Sequence, residues 1–118
     1  MRSGLARIVA LAGLGAALQA GAAAGTHVEA PPSAERQREL VHVVLQDCGS
    51  CHGMKLTGGL GPALTPEALA ERPFDSIVAT IMLGRPGTPM PGWRTMLSEA
   101  DARWIARRLM QGFPQESR

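Results

Sequence analysis

The chain of 118 residues has no tyrosine, two phenylalanines, two tryptophans and two cysteines, and each scarcity removes a class of protein. Phe74, Trp93, Trp104 and Phe113 are the only aromatic side chains available for a core, and a chain this short buries a modest share of its surface. Two cysteines are too few for a closed structural zinc site, which takes four Cys or His ligands. His27 and His42 do not supply the missing pair at metal spacing. No apolar run reaches the ~20 residues that span a bilayer. Neither sign of charge dominates, with 12 basic and 10 acidic residues, so the basic stripe of a nucleic-acid binder is absent. Internal repeats and strand-like alternation are missing as well.

The N-terminal segment reads as an address. Arg2 and Arg7 form a positive n-region, Ile8 to Leu18 an apolar h-region, and Ala20-Gly21-Ala22 or Ala22-Ala23-Ala24 a small-x-small cleavage site. The apolar stretch is too short for a membrane anchor, no cysteine near the cleavage region offers a lipid acceptor, and the two arginines are not adjacent as a twin-arginine signal requires. Residues 1–24 are therefore expected to be a cleavable signal peptide, 25–32 an extended lead-in, and 33–118 a single domain in the periplasm. Removing Arg2 and Arg7 leaves ten basic against ten acidic residues.

The two cysteines that are present stand in Cys48-Gly49-Ser50-Cys51-His52. Cys-x-x-Cys-His is the spacing at which a chain captures haem c: two thioethers to the vinyl groups, then the proximal iron ligand. A thioredoxin-like redox pair expects a surrounding βαβ pattern, and none is visible. A plain disulfide would close a very short loop and leave His52 unexplained. A covalently held apolar plate also supplies core that the scarce aromatic side chains lack.

Glycine and proline punctuate an otherwise helical chain. Ser33 caps a helix expected to run to about Asp47, on which Leu40, Val41, Val44 and Leu45 recur at helical spacing and bring Cys48 to the same side. Lys55 to Gly61 is too glycine-rich to be regular. Thr65-Pro66-Glu67 reads as cap, first helical residue and acidic first turn of a short helix ending near Glu71. Phe74, Ile77, Val78, Ile81 and Met82 form the strongest amphipathic stripe, stopped by Gly84 and Pro86. Ser98 and Asp101 are a capping pair opening the last helix, with Ala102, Ile105, Ala106 and Leu109 as its apolar stripe. Arg103, Arg107 and Arg108 lie toward its C-terminal end, where cations complement the macrodipole; Gly112 and Pro114 close it.

Iron held by His52 needs a group on its other face. Met54 is too close to His52, Met82 belongs to a core stripe, and Met110 lies near the end of the last helix. Met90 stands between Pro89 and Pro91 in a loop, 84–93, that prolines stiffen, which suits a ligand that must not move on reduction. Met96 is the weaker alternative, and a vacant sixth position is the third. A carbonyl of Gly59-Leu60-Gly61-Pro62 is placed to accept the free ring N–H of His52, although the same residues also read as a plain turn. Trp93 either packs on the haem or donates to a propionate, or is ordinary core. Arg85 and Arg94 are propionate partners or solvated surface charges.

In their order, the helix, Cys-x-x-Cys-His, Gly-Pro loop, short helix, amphipathic helix, Met-Pro loop and capped last helix resemble the class I cytochromes c across essentially the whole mature chain. Asp47 to Met54, Gly58 to Leu64 and Gly84 to Pro91 are similar in wording to the NirC-type small periplasmic cytochromes of denitrification. The resemblance implies an all-α fold, about four helices around one covalent haem c, with Cys48 and Cys51 as thioether donors, His52 and Met90 as axial ligands, and the Pro62 carbonyl orienting His52. Many class I members pair a glycine and an aromatic on the first helix with an aromatic on the last. Here Leu40, Val41 and Val44 take that place, so Trp104 is expected to pack on aliphatic side chains between the first and last helices. The implied function is electron transfer by a monomer without a membrane anchor, not catalysis. Its expected redox partner is the nitrite reductase or a haem d1 maturation protein. A haem-based sensor or peroxidase-like site with an open sixth position is the alternative.

Overall fold

Ser33 opens the first helix as its sequence predicts, its Oγ accepting the Arg36 N–H at 3.2 Å. The computed structural model describes residues 29–115; the expected signal peptide (1–24) and His27 lie outside the described residues. Residues 29–32, the described part of the lead-in, have no regular structure. The elements that follow are α1 (Ala34–Val43), a π-helical turn (Val44–Cys48), α2 (Gly49–His52), α3 (Pro66–Leu69), α4 (Phe74–Leu83) and α5 (Glu99–Gln111), with no strand among the described residues.

The first helix departs from its expected form. It was expected to end near Asp47 as regular α-helix; instead it widens into the π turn at Val44 and carries on through His52. Val44 and Leu45, the first two residues of that turn, are both buried, at 0% and 5% exposure. Cys48, Cys51 and His52 lie on the wall of one cavity. Single π turns of this kind recur at functional sites.

Both later caps form as read from the sequence. Thr65 Oγ1 accepts the Ala68 N–H with Pro66 in the first turn. Ser98 and Asp101 make a reciprocal capping box, Ser98 Oγ with the Asp101 N–H and Asp101 Oδ2 with the Ser98 N–H, each at 3.1 Å. Leu40 and Val44 share one core with Ala102, Ile105, Ala106 and Leu109. Trp104 lies in that core, but its ring partner is Phe113, edge-on at 6.3 Å, so the aromatic pair is made within the C-terminal segment. Two of the three arginines expected to serve the C-terminus of α5 instead reach sideways to α4. Arg103 pairs with Asp75 at 3.1 Å and stacks over Phe74 at 5.0 Å, and Arg107 covers the same ring at 5.6 Å. Cation–π contact with a half-buried ring outcompetes the weak field of a helix end.

One long-range ion pair clamps the two helix N-termini. Arg36 on α1 meets Asp101 on α5 at 2.9 Å and also donates to the Met96 carbonyl at 3.3 Å. Burial alone would push the Asp101 carboxyl up, but the Arg36 guanidinium and the Ser98 N–H hold it below the usual carboxylate range. A depressed carboxylate contributes stability that is complete above the unfolded value of about 3.9 and is lost as pH falls through the lower folded value. Asp101→Ala is expected to lose about 1–3 kcal/mol near pH 7, from the cap plus a partly exposed ion pair. The gap from wild type should narrow as pH drops below about 4. Urea midpoints recorded across that interval check it; a gap independent of pH would count against the ion pair.

Candidate haem site

A cavity of about 620 Å³ opens beside the Cys-x-x-Cys-His segment, within the range of cofactor sites. Cys48, Cys51 and His52 enter its wall from the end of the first helix, and Gly61, Pro62 and Leu64 from the loop that follows. Ile77, Thr80 and Ile81 come from α4, Met90 and Trp93 from the next loop, and Ile105 and Leu109 from α5. Aliphatic side chains dominate this wall, as a flat apolar macrocycle requires.

His52 is 9% exposed, and its Nδ1 lies 2.6 Å from the Pro62 carbonyl oxygen. A carbonyl has no proton to give, so Nδ1–H donates and Nε2 keeps the lone pair with which an imidazole binds a metal. The turn alternative for Gly59 to Pro62 and the carbonyl alternative thus coexist, because the turn is what aims the carbonyl. Gly58 N–H donates to the His52 carbonyl and Gly61 N–H to the Cys51 carbonyl, each at 2.8 Å, folding the loop back on the motif. Glycine is required at 59 and 61 by contact: a Cβ at Gly59 would stand 2.8 Å from the Cys51 oxygen, and one at Gly61 2.8 Å from the His52 ring. Leu56 anchors the same loop. It is 2% exposed and sits at φ 59°, a left-handed conformation that a bulky residue adopts only when its surroundings impose it.

Burial, with Asp47 adding to it, pushes the Cys48 thiol up to about 11. That is the reverse of a redox Cys-x-x-Cys, whose nucleophilic thiol is lowered. No disulfide joins the two cysteines.

Among the methionines, Met90 lines the cavity. Met82 and Met110 pack against the core, while Met54 and Met96 are 59% and 63% exposed. The Met90 loop is sewn to the end of α4: Arg85 N–H donates to the Met90 carbonyl at 3.2 Å, Trp93 N–H to that of Ile81 at 3.0 Å, and Arg94 N–H to that of Met82 at 3.2 Å. Of the two arginines considered for propionates, Arg85 lines the cavity and Arg94 does not; Arg72, which the sequence did not single out, does. The α4 stripe also divides. Ile77 and Ile81 face the cavity with Ser76 and Thr80 beside them, whereas Phe74 lies under the α5 arginines. Helical periodicity marks which residues turn inward but not which of them meet a cofactor rather than a neighbouring helix.

The family described as "Cytochrome C oxidase, cbb3-type, subunit III" matches residues 35–107. Two relatives named cytochrome c55X are similar over most of the chain. The one from Stutzerimonas stutzeri is 59% identical over 73% of this chain and 76% of its own; the one from Pseudomonas aeruginosa is 63% identical over 69% and 68%. A solved structure titled c-type cytochrome NirC superposes with a TM-score of 0.69 at 61% identity, covering 70% of this chain and 96% of that one. The chain belongs to the NirC-type c-type cytochromes. A different relationship links it to dihydro-heme d1 dehydrogenase of Pseudomonas aeruginosa, 38% identical over 60% of this chain but only 14% of that protein. The solved dehydrogenase NirN superposes with a TM-score of 0.57 over 17% of its length.

Membership of the c-type cytochromes brings covalently bound haem c and electron transfer, and the site suits both. The paired thiols share an apolar cavity with a histidine whose outer nitrogen is already engaged. Among the described residues no helix is long and apolar enough to cross a membrane.

Proposed function

We propose that this c-type cytochrome is a periplasmic one-electron carrier in the nitrite reductase system, accepting electrons during haem d1 maturation. Cys48 and Cys51 are the thioether donors, His52 and Met90 the axial ligands, and the Pro62 carbonyl orients His52. Trp93 forms part of the cofactor wall. When bound, haem c supplies Fe(III)/Fe(II) chemistry, its potential raised by methionine opposite histidine. The chain's own contribution is to hold both ligands still. His52 is buried and hydrogen-bonded, and Met90 sits in a loop tied to α4 by backbone bonds. An unmoving ligand set favours a carrier over a sensor or peroxidase-like site, which needs an open position.

The observation that carries the choice of partner is the shared stretch with dihydro-heme d1 dehydrogenase, a small fraction of that larger protein. A dehydrogenase of that name joins a cytochrome-like segment to a far larger remainder, and a free-standing relative of the segment is suited to take electrons from such a reaction. Removing two hydrogens releases two electrons, so two copies of this chain are reduced for each substrate oxidised. Stopped-flow mixing of the ferric, haem-loaded protein with a dihydro-haem d1 dehydrogenase and its substrate should show that stoichiometry. No reduction there, with rapid oxidation of the ferrous protein by the haem c/haem d1 nitrite reductase, would make the chain a donor to that enzyme instead.

A further inference from the structure

The loop presenting Met90 has a poor supply of backbone donors. Pro86, Pro89 and Pro91 have no N–H, which leaves Arg85, Gly87, Thr88 and Met90 to hold residues 85–91 together. Both side-chain hydrogen bonds within this loop run through one residue. Thr88 Oγ1–H donates to the Arg85 carbonyl at 2.7 Å, and the same oxygen accepts the Met90 N–H at 3.4 Å. The Thr88 N–H adds a bond to the Arg85 carbonyl at 3.1 Å, and the Met90 carbonyl closes the circuit by accepting from the Arg85 N–H at 3.2 Å. Met90 is thus held at both its N–H and its C=O, and the N–H restraint passes through a hydroxyl.

A threonine hydroxyl reaching the N–H two residues on is a side-chain turn. Here it steps over Pro89, which cannot donate and which biases Thr88 itself toward extended backbone. Thr88 also lines the cavity, so it stands where the cavity wall meets the loop.

From this geometry we propose that Thr88 is a positioning residue for the axial thioether: its hydroxyl locks the backbone of Met90 so that the side chain stays directed at the iron. The proposal rests on the assignment of Met90 as ligand. It does not require Thr88 to touch the cofactor.

Thr88→Val removes the hydroxyl at nearly constant shape, and Thr88→Ser restores it. In the haem-loaded ferric protein, exogenous imidazole competes with Met90 for iron, so loosening the loop raises imidazole's apparent affinity by the factor lost from the methionine-bound state. One net hydrogen bond corresponds to roughly a three- to tenfold change. Thr88→Val is expected to bind imidazole three- to tenfold more tightly while keeping a weakened far-red band of Fe(III)–thioether ligation, and Thr88→Ser should return to the wild-type affinity. Wild-type imidazole affinity in Thr88→Val overturns the proposal, as does failure of Thr88→Ser to rescue. If Thr88→Val does not load haem, Thr88→Ser together with Thr88→Ala supplies the same comparison. Failure of the underlying assignment is separate: it appears as a far-red band absent from wild type or unchanged in Met90→Ala.

Discussion

Met90→Ala abolishes the far-red band of the ferric haem-loaded protein and lowers its midpoint potential by a few tenths of a volt, within the ~0.8 V range that axial ligands command. The expectation follows from where the other thioethers lie. Met82 and Met110 are committed to core packing, and Met54 and Met96 stand largely in solvent. None of these four lines the cavity, so none is placed to substitute without rearranging the helix or turn that carries it. Thioether sulfur stabilises Fe(II) relative to water or nitrogen donors, which sets the sign of the change. The variant should also bind carbon monoxide rapidly when reduced, whereas wild type resists it. The loop itself should survive, because its closure depends on backbone bonds from Arg85, Trp93 and Arg94, not on the methionine side chain. A band that persists in Met90→Ala would sink the assignment, and spectrophotometric redox titration provides the second reading.

Sequence and structure divide the work unevenly. Contiguous signals were legible: the capping pair at Ser98 and Asp101, the threonine and proline opening α3, and the Cys-x-x-Cys-His run are local, and their physics acts within one turn of chain. The Arg36–Asp101 clamp was not, because it joins residues 65 positions apart and nothing in either neighbourhood marks the other. The π turn escaped for another reason. Val44 and Leu45 are compatible with regular helix, and nothing in their residue types marks the widening. At the site, a stiff loop around Met90 could be read from three prolines, but the hydroxyl that ties it together is one unremarkable threonine. Arg107 illustrates a tertiary override: its position in α5 suggested service to the helix end, and a ring on α4 drew it away.

The Gly-Pro pair shows how a motif's two residues carry different burdens, and it yields the second large expected effect. The acceptor of the His52 Nδ1–H is a backbone carbonyl, so Pro62→Ala keeps the oxygen and should leave the potential nearly unchanged. Gly61→Ala should not. Its new Cβ would lie 2.8 Å from both Cε1 and Nδ1 of the imidazole, closer than real contacts allow. The glycine cannot retreat, since its N–H is bound to the Cys51 carbonyl and its own carbonyl accepts from Gly59. Nor is the ring a loose end, because His52 is buried in the wall it shares with Cys48 and Cys51. The imidazole must therefore turn and surrender its bond to Pro62. Overpacking of this kind costs about 1–3 kcal/mol. Loss of the outer hydrogen bond makes His52 a weaker donor, which destabilises Fe(III) and raises the potential. An outer partner is worth roughly 10–100-fold in metal affinity; with the whole of that loss on Fe(III), the rise reaches about 60–120 mV at ~59 mV per decade for one electron. Redox titration and thermal unfolding of the two haem-loaded variants test the pair together. Equal potentials in Gly61→Ala and Pro62→Ala would mean that the packing of glycine against the ring does not govern the ligand.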